Sequence, residues 1–186
     1  DHVSSSTIPL STRKNVVIAG GGPAGLLVAH CLLARGDRYN VEIVESREDP
    51  RQTVAGPRSY SLGLNIRGQA AINHFDVPKK SPGLWGALTP LGVESDSFVL
   101  HIGSKKIHLR KPQKKDDSVA KIETPVEGPE VPPTLLIPRN KLCVGMLQNL
   151  ENLYAGSGRL TMTFNSRLIG VDLVNQVAEF DEKRFL

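Results

Sequence analysis

Cysteine is scarce in this chain: among 186 residues only Cys31 and Cys143 occur, each in an apolar, helix-like setting. Two such thiols argue against a disulfide scaffold and against a thiolate metal site, and they point to a reducing compartment. The five histidines, His2, His30, His74, His101 and His108, show no ligand spacing with cysteines or carboxylates, so no metal is assigned. No run of about 18 apolar residues is present, which argues against a transmembrane helix. The net charge of +4 is too small to imply nucleic acid. The basic run of Lys105, Lys106, His108, Arg110, Lys111, Lys114 and Lys115 has no interleaved aromatic on which bases could stack, so it reads as a solvated surface rather than a nucleic-acid contact. No Gly-x-Ser-x-Gly elbow supports a serine hydrolase. The chain starts at Asp1 without a methionine, which leaves the compartment unknown; the expectation is an intracellular, processed protein of an organelle, mitochondrion or plastid.

What is present is a globular composition, 39% hydrophobic and 23% charged, of single-domain length. Residues 1–14 are polar and read as a flexible arm ahead of one domain over 15–186. Asn15 to Gly20 is a short β-branched run, predicted to be a buried strand. A helix is predicted over Pro23 to Arg35, with Gly36 as its stop, and a second strand over Val41 to Glu45. Together they make one βαβ unit, whose right-handed crossover places the strands parallel and adjacent. A helix is predicted from Asn65 to Phe75. Residues 78–92, rich in glycine and proline, read as a loop in which Trp85 acts as a plug. A hairpin insertion is expected over about 93–110, closed at Gly103-Ser104, followed by a Pro-rich charged loop over 111–133. A strand at Thr134 to Ile137, an amphipathic helix at Arg139 to Tyr154, and strands at Leu160 to Phe164, Arg167 to Leu173 and Gln176 to Phe180 complete the pattern. The fold class is therefore α/β: a Rossmann-type dinucleotide-binding fold with a parallel sheet and a β-rich insertion.

The chemistry concentrates at Gly20-Gly21-Gly22-Pro23-Ala24-Gly25. A Gly-x-Gly-x-x-Gly turn is informative when it follows a strand, opens a helix and is answered by an acid about 20 residues on. Here Gly20 permits the tight turn, Gly22 lets a pyrophosphate approach the backbone, and Gly25 lets the helix pack close to the strand. The helix N-terminus offers unpaired N–H groups and partial positive charge to an anion. Glu45, at the end of the second strand, can accept both hydroxyls of an adenosine ribose and would repel a 2′-phosphate. FAD and NAD both remain open on these residues alone.

GGGPAG, then VESREDPR (44–51), then PRSYSLGLNIRGQAAI (57–72) resemble the FAD-dependent aromatic hydroxylases, a flavoprotein monooxygenase family, and within it the kynurenine 3-monooxygenases. PRNKL (138–142) resembles the family's strand-then-Arg-x-x-Leu element. The likeness spans residues 15–75 well and 134–175 weakly. It implies an FAD-binding oxidoreductase, a monooxygenase with NAD(P)H as electron donor and an aromatic small molecule as substrate. It also implies roles: Glu45 on the adenosine ribose, Arg47 beside the adenine, and Arg58 and Arg139 towards the pyrophosphate, where guanidinium geometry suits phosphate.

Two departures qualify what the resemblance implies. The family clamps the kynurenine carboxylate with an arginine and a tyrosine on its hairpin; this chain has Phe98 near the arginine position and no tyrosine there, which points away from kynurenine. The family's mid-chain Asp-Gly motif and later Gly-Asp motif, whose acid holds the ribityl chain, have no counterpart after the βαβ unit. The expectation is a fold incomplete at its C-terminus, with a sheet edge that more chain or a protein complex would cover. A non-catalytic flavoprotein-like subunit or docking module is the alternative to an enzyme.

Overall fold

The structure, a computed structural model, describes residues 13–52, 60–74, 83–110 and 132–182. In chain order the elements are β1 (Lys14–Ala19), α1 (Pro23–Leu33), β2 (Tyr39–Val44), β3 (Ser61–Leu64), α2 (Ile66–His74), α3 (Leu84–Leu88), β4 (Val93–Ser95), β5 (Phe98–Ile102), β6 (Lys105–Arg110), β7 (Thr134–Pro138), α4 (Arg139–Tyr154), β8 (Leu160–Thr163), β9 (Ser166–Asp172) and β10 (Val177–Glu182). The parallel sheet has the order β1-β2-β8, with Ile18 opposite Ile43 and Ile43 opposite Met162. An antiparallel sheet of order β3-β7-β4 lies apart from it, and β5-β6 and β9-β10 are separate hairpins.

Helix α1 forms because Pro23 occupies its first position, where a missing N–H costs nothing, and because Leu26, Ala29, His30 and Leu33 fall on one buried face. That face packs on α4, whose Leu142, Cys143, Met146, Leu147 and Leu150 are buried. The His30 ring binds the Met146 carbonyl at 3.2 Å, tying the two helices together. Val41 and Ile43 of β2 complete the core beneath them. At the far end of the sheet Arg159 is buried and donates to the carbonyls of Leu33, Gly36 and Tyr39, closing the C-terminus of α1 onto the start of β2.

Four expectations are corrected. The glycine- and proline-rich stretch 78–92 contains α3 and a 3-10 turn, Thr89–Leu91. Leu84 and Leu88 recur at helical spacing and are buried, Trp85 packs on the core beside them, and this overrides the composition. The packing on α4 is so tight that a Cβ on Gly145 would lie 2.9 Å from Leu88 of α3 and 2.6 Å from Leu91 of the 3-10 turn. Strand β1 is not buried: its side chains alternate between exposed and half-buried, because one face of the sheet is left open among the described residues. Lys14, assigned to the arm, is the first residue of β1. Finally, β4 does not join the β5-β6 hairpin; it pairs antiparallel with β7, Val93 opposite Leu136. Residues 1–12 of the arm and 111–131 of the Pro-rich loop lie outside the described residues.

Candidate dinucleotide site

Gly20 has φ +113°, a conformation closed to most side chains, and its N–H is held by the Val44 carbonyl at 2.8 Å. The chain thereby reverses at the C-terminal ends of β1 and β2. A Cβ on Gly25 would lie 2.1 Å from the Gly20 carbonyl oxygen and 3.2 Å from Ile18, so only glycine allows α1 to begin against β1. No side chain caps α1 at Gly22, and its first turn holds no acid. First-turn N–H groups of a helix have no partner within it, so this end is open to an anion. Pro23 and Ala24 form that first turn.

The Glu45 carboxylate spans the turn. One oxygen accepts the Gly21 N–H at 2.7 Å; the other accepts the Arg47 N–H at 2.9 Å and the Ser46 hydroxyl at 3.1 Å. The strand end beneath it is fixed on both sides: the Glu45 N–H donates to Thr163 O at 2.9 Å, and the Ser166 N–H donates to Glu45 O at 3.0 Å. Arg139, the first residue of α4, has its N–H on Tyr60 O at 3.0 Å. Its guanidinium lies 3.4 Å from where a Gly22 Cβ would stand. The cation is therefore directly over the glycine whose bareness permits close approach.

A cavity of about 470 Å³ opens between these groups, lined by Gly21, Glu45, Ser46, Arg47, Glu48, Pro50, Arg139, Asn140, Cys143 and Asn165. Its size suits a small ligand or part of a larger one. Glu45, Arg47 and Arg139, separated by almost 100 residues of sequence, thus meet in one place. Of the glycine turn only Gly21 lines the cavity; Gly20, Gly22, Pro23, Ala24 and Gly25 do not, and Arg58 lies outside the described residues. Sequence reasoning missed Gly21, Asn140, Cys143 and Asn165. Asn165 sits at φ +60°, a region asparagine tolerates better than most residues, with its N–H on Arg47 O at 2.9 Å. Burial pushes the Cys143 thiol up, against the opposing influence of Arg139, so it forms a neutral wall rather than a nucleophile.

The donor set fits the adenosine diphosphate half of a dinucleotide. A carboxylate has about four acceptor directions, so after its three internal bonds Glu45 keeps one for a ribose hydroxyl, on the oxygen that binds only Gly21. Open N–H groups and Arg139 supply the positive field that two phosphates require.

Comparison with known proteins places these features in context. No family model matches the chain. Over 63 residues, 33% of this chain and 13% of the relative, it is 46% identical to kynurenine 3-monooxygenase of Salinispora arenicola. Over 86 residues, 44% of this chain and 18% of the relative, it is 36% identical to kynurenine 3-monooxygenase of Chaetomium globosum. The chain resembles kynurenine 3-monooxygenases. Among solved structures, 2-methyl-3-hydroxypyridine-5-carboxylic acid oxygenase superposes with a TM-score of 0.55 at 13% identity, covering 86% of this chain and 33% of that one. p-Nitrophenol 4-monooxygenase from Pseudomonas putida gives 0.53 at 20% identity, covering 87% and 33%. At these identities the likeness is one of fold. That fold is the FAD-binding, Rossmann-type α/β fold of such monooxygenases. The chain spans about a third of the length of these solved structures, and the matched stretches are a smaller share of the kynurenine 3-monooxygenases.

Proposed function

We propose that this chain is the adenosine-binding portion of an FAD-dependent monooxygenase that resembles kynurenine 3-monooxygenase, with NAD(P)H as electron donor and an aromatic substrate. The observation that carries the reading is the meeting of Glu45 and Arg139 across the glycine turn, at the mouth of one cavity. FAD, when bound and reduced, supplies the chemistry that activates oxygen. This chain's own residues bind and orient it. Glu45 accepts a ribose hydroxyl and repels a 2′-phosphate, which favours FAD over NADP in this cavity. Arg139, with Arg58, offsets the pyrophosphate charge. Arg47, which lines the cavity, would lie beside the adenine. Gly22 lets the pyrophosphate approach the backbone, and Gly25 lets α1 start close against β1. The hairpin carries Phe98 where the family's carboxylate clamp is expected, so an aromatic substrate other than kynurenine fits better.

The test is the visible spectrum of the purified protein, with mass spectrometry of any ligand released on denaturation and calorimetric titration with ADP. Flavin bands, released FAD and ADP binding are expected. Glu45→Ala should weaken ADP binding about 10-fold or more, the effect of removing a charged hydrogen-bond acceptor. A folded protein with no flavin and no affinity for ADP or FAD would overturn the proposal.

A further inference from the structure

Arg51 does not line the cavity, yet its guanidinium touches three of the elements that do. Its Nε lies 2.8 and 2.9 Å from the two carboxylate oxygens of Asp49, and its Nη2 lies 2.6 Å from Asp49 Oδ2. Its Nη1 lies 2.5 Å from Glu151 Oε2. Its central carbon stands 5.9 Å from the centroid of the Phe164 ring. Asp49 is only 8% exposed and also accepts the Arg51 N–H at 2.9 Å.

Each partner belongs to a different wall. Asp49 sits in the loop after β2 that brings Ser46, Arg47, Glu48 and Pro50 to the cavity. Glu151 lies three turns along α4 from Arg139, so holding it sets where that helix, with Arg139 and Cys143, stands. Phe164 immediately precedes Asn165, the cavity's contribution from the end of β8. We propose that Arg51 is a positioning residue for the dinucleotide cavity, one planar cation that sets the spacing of the β2 loop, α4 and the β8 end. The proposal rests on the reading of the cavity as an adenosine site. Arginine suits the task because its rigid fork engages two carboxylates while its face stays free for a ring. Lysine keeps the charge and loses both the fork and the face. The Asp49 carboxyl is held below the usual carboxylate range chiefly by its hydrogen bonds from Arg51, in keeping with a tightly formed pair.

Arg159 is the natural control. It too is buried and multiply bonded, but to Leu33, Gly36 and Tyr39 at the opposite end of β2. The experiment titrates ADP by calorimetry into the wild-type chain and the variants Arg51→Met, Arg51→Lys, Glu151→Gln and Arg159→Ala, at a temperature where circular dichroism shows each folded. Arg51→Met should weaken ADP binding at least 10-fold, Arg51→Lys less, and Glu151→Gln a few-fold. Arg159→Ala should lower Tm and leave ADP affinity within 2-fold of wild type. Arg51 variants that bind ADP as tightly as wild type would overturn the proposal, as would Arg159→Ala weakening binding just as much. If Arg51→Met does not fold, unchanged affinity in both Arg51→Lys and Glu151→Gln overturns it. A wild-type chain that binds no ADP overturns the adenosine reading beneath it, a separate outcome from the others.

Discussion

The two faces of the parallel sheet differ sharply although the same three strands build both. On one face Val16, Ile18, Val41, Ile43, Leu160 and Met162 lie beneath α1 and α4, buried or half-buried. On the other, Val17 pairs with Glu42 and Glu42 with Thr161, and all three are exposed, while Val44, at the carboxyl end of that face, is buried. The strands alternate because successive side chains point to opposite faces. A Rossmann-type sheet is ordinarily covered by helices on both sides. Among the described residues only one side has its helices. The difference shows that burial belongs to a face and what covers it, not to a strand and its composition.

The largest effect should come from a pair of substitutions, one on each face. Ile43 is 1% exposed and Val17 is 45% exposed. Ile43→Ala should destabilise the chain by about 2–5 kcal/mol, through lost burial and a residual cavity. Val17→Ala should change stability by roughly 0.5 kcal/mol or less, as a surface substitution does. Urea unfolding of both variants measures the gap. Equal losses would mean that the open face is packed in solution and would break the comparison.

A somewhat smaller effect should appear where the covered face begins. Gly25→Ala sets a methyl 2.1 Å from the Gly20 carbonyl oxygen, which is backbone and cannot swing aside. The start of α1 must then move away from β1, at a cost of about 1–3 kcal/mol. Because the same turn aims the helix N-terminus, ADP affinity should fall along with stability. Gly21→Ala is the sharper partner: its Cβ would lie 3.3 Å from Glu45 Cβ and 3.6 Å from the carboxylate oxygen that binds the Gly21 N–H, so binding should suffer more than stability. Paired unfolding and ADP titrations separate the two.

Much of this was legible in the residues. The GGGPAG turn, the acid of VESREDPR and the apolar spacing of α1 and α4 are local signals, and each element formed where its pattern placed it. Strand β8, read over Leu160 to Phe164, shows the alternation of a sheet open on one side, and β2, read over Val41 to Glu45, shows it as far as Ile43. Strand β1, read over Asn15 to Gly20, does not, and its continuous apolar run points to burial on both faces. Composition misled again at 78–92, where glycine and proline masked the Leu84–Leu88 spacing. Of the cavity's far wall only Arg139 was legible, through the resemblance of PRNKL. Asn140, Cys143 and Asn165 reach it only because α4 and β8 return to the first βαβ unit after some 100 residues, and no local pattern encodes that return. Arg51 was visible only as the last residue of VESREDPR, with no role assigned to it. Its role depends on Glu151 and Phe164, which topology brings to it.

The smallest effect concerns the carboxyl end of the sheet, where the faces meet the cavity loop. Asp49 has its pKa lowered by hydrogen bonds from Arg51, despite the opposing influence of burial. A carboxyl whose folded value lies below its unfolded one stabilises the fold above the ordinary value of 3.8, and that contribution is lost as pH falls through the lower folded value. Asp49→Asn removes the linkage while keeping the shape. The wild type should exceed Asp49→Asn in stability by about 1 kcal/mol at neutral pH, the scale of an ion pair whose arginine stays partly exposed to solvent. The gap should narrow steadily as the pH drops below 3.8. Urea midpoints of the two proteins across that range measure it. Val17→Ala, remote from any titrating partner change, should show no such narrowing. A gap between wild type and Asp49→Asn that is the same at every pH would mean that the Asp49–Arg51 pair acts through packing alone, and the cavity loop would then be held by shape rather than by charge.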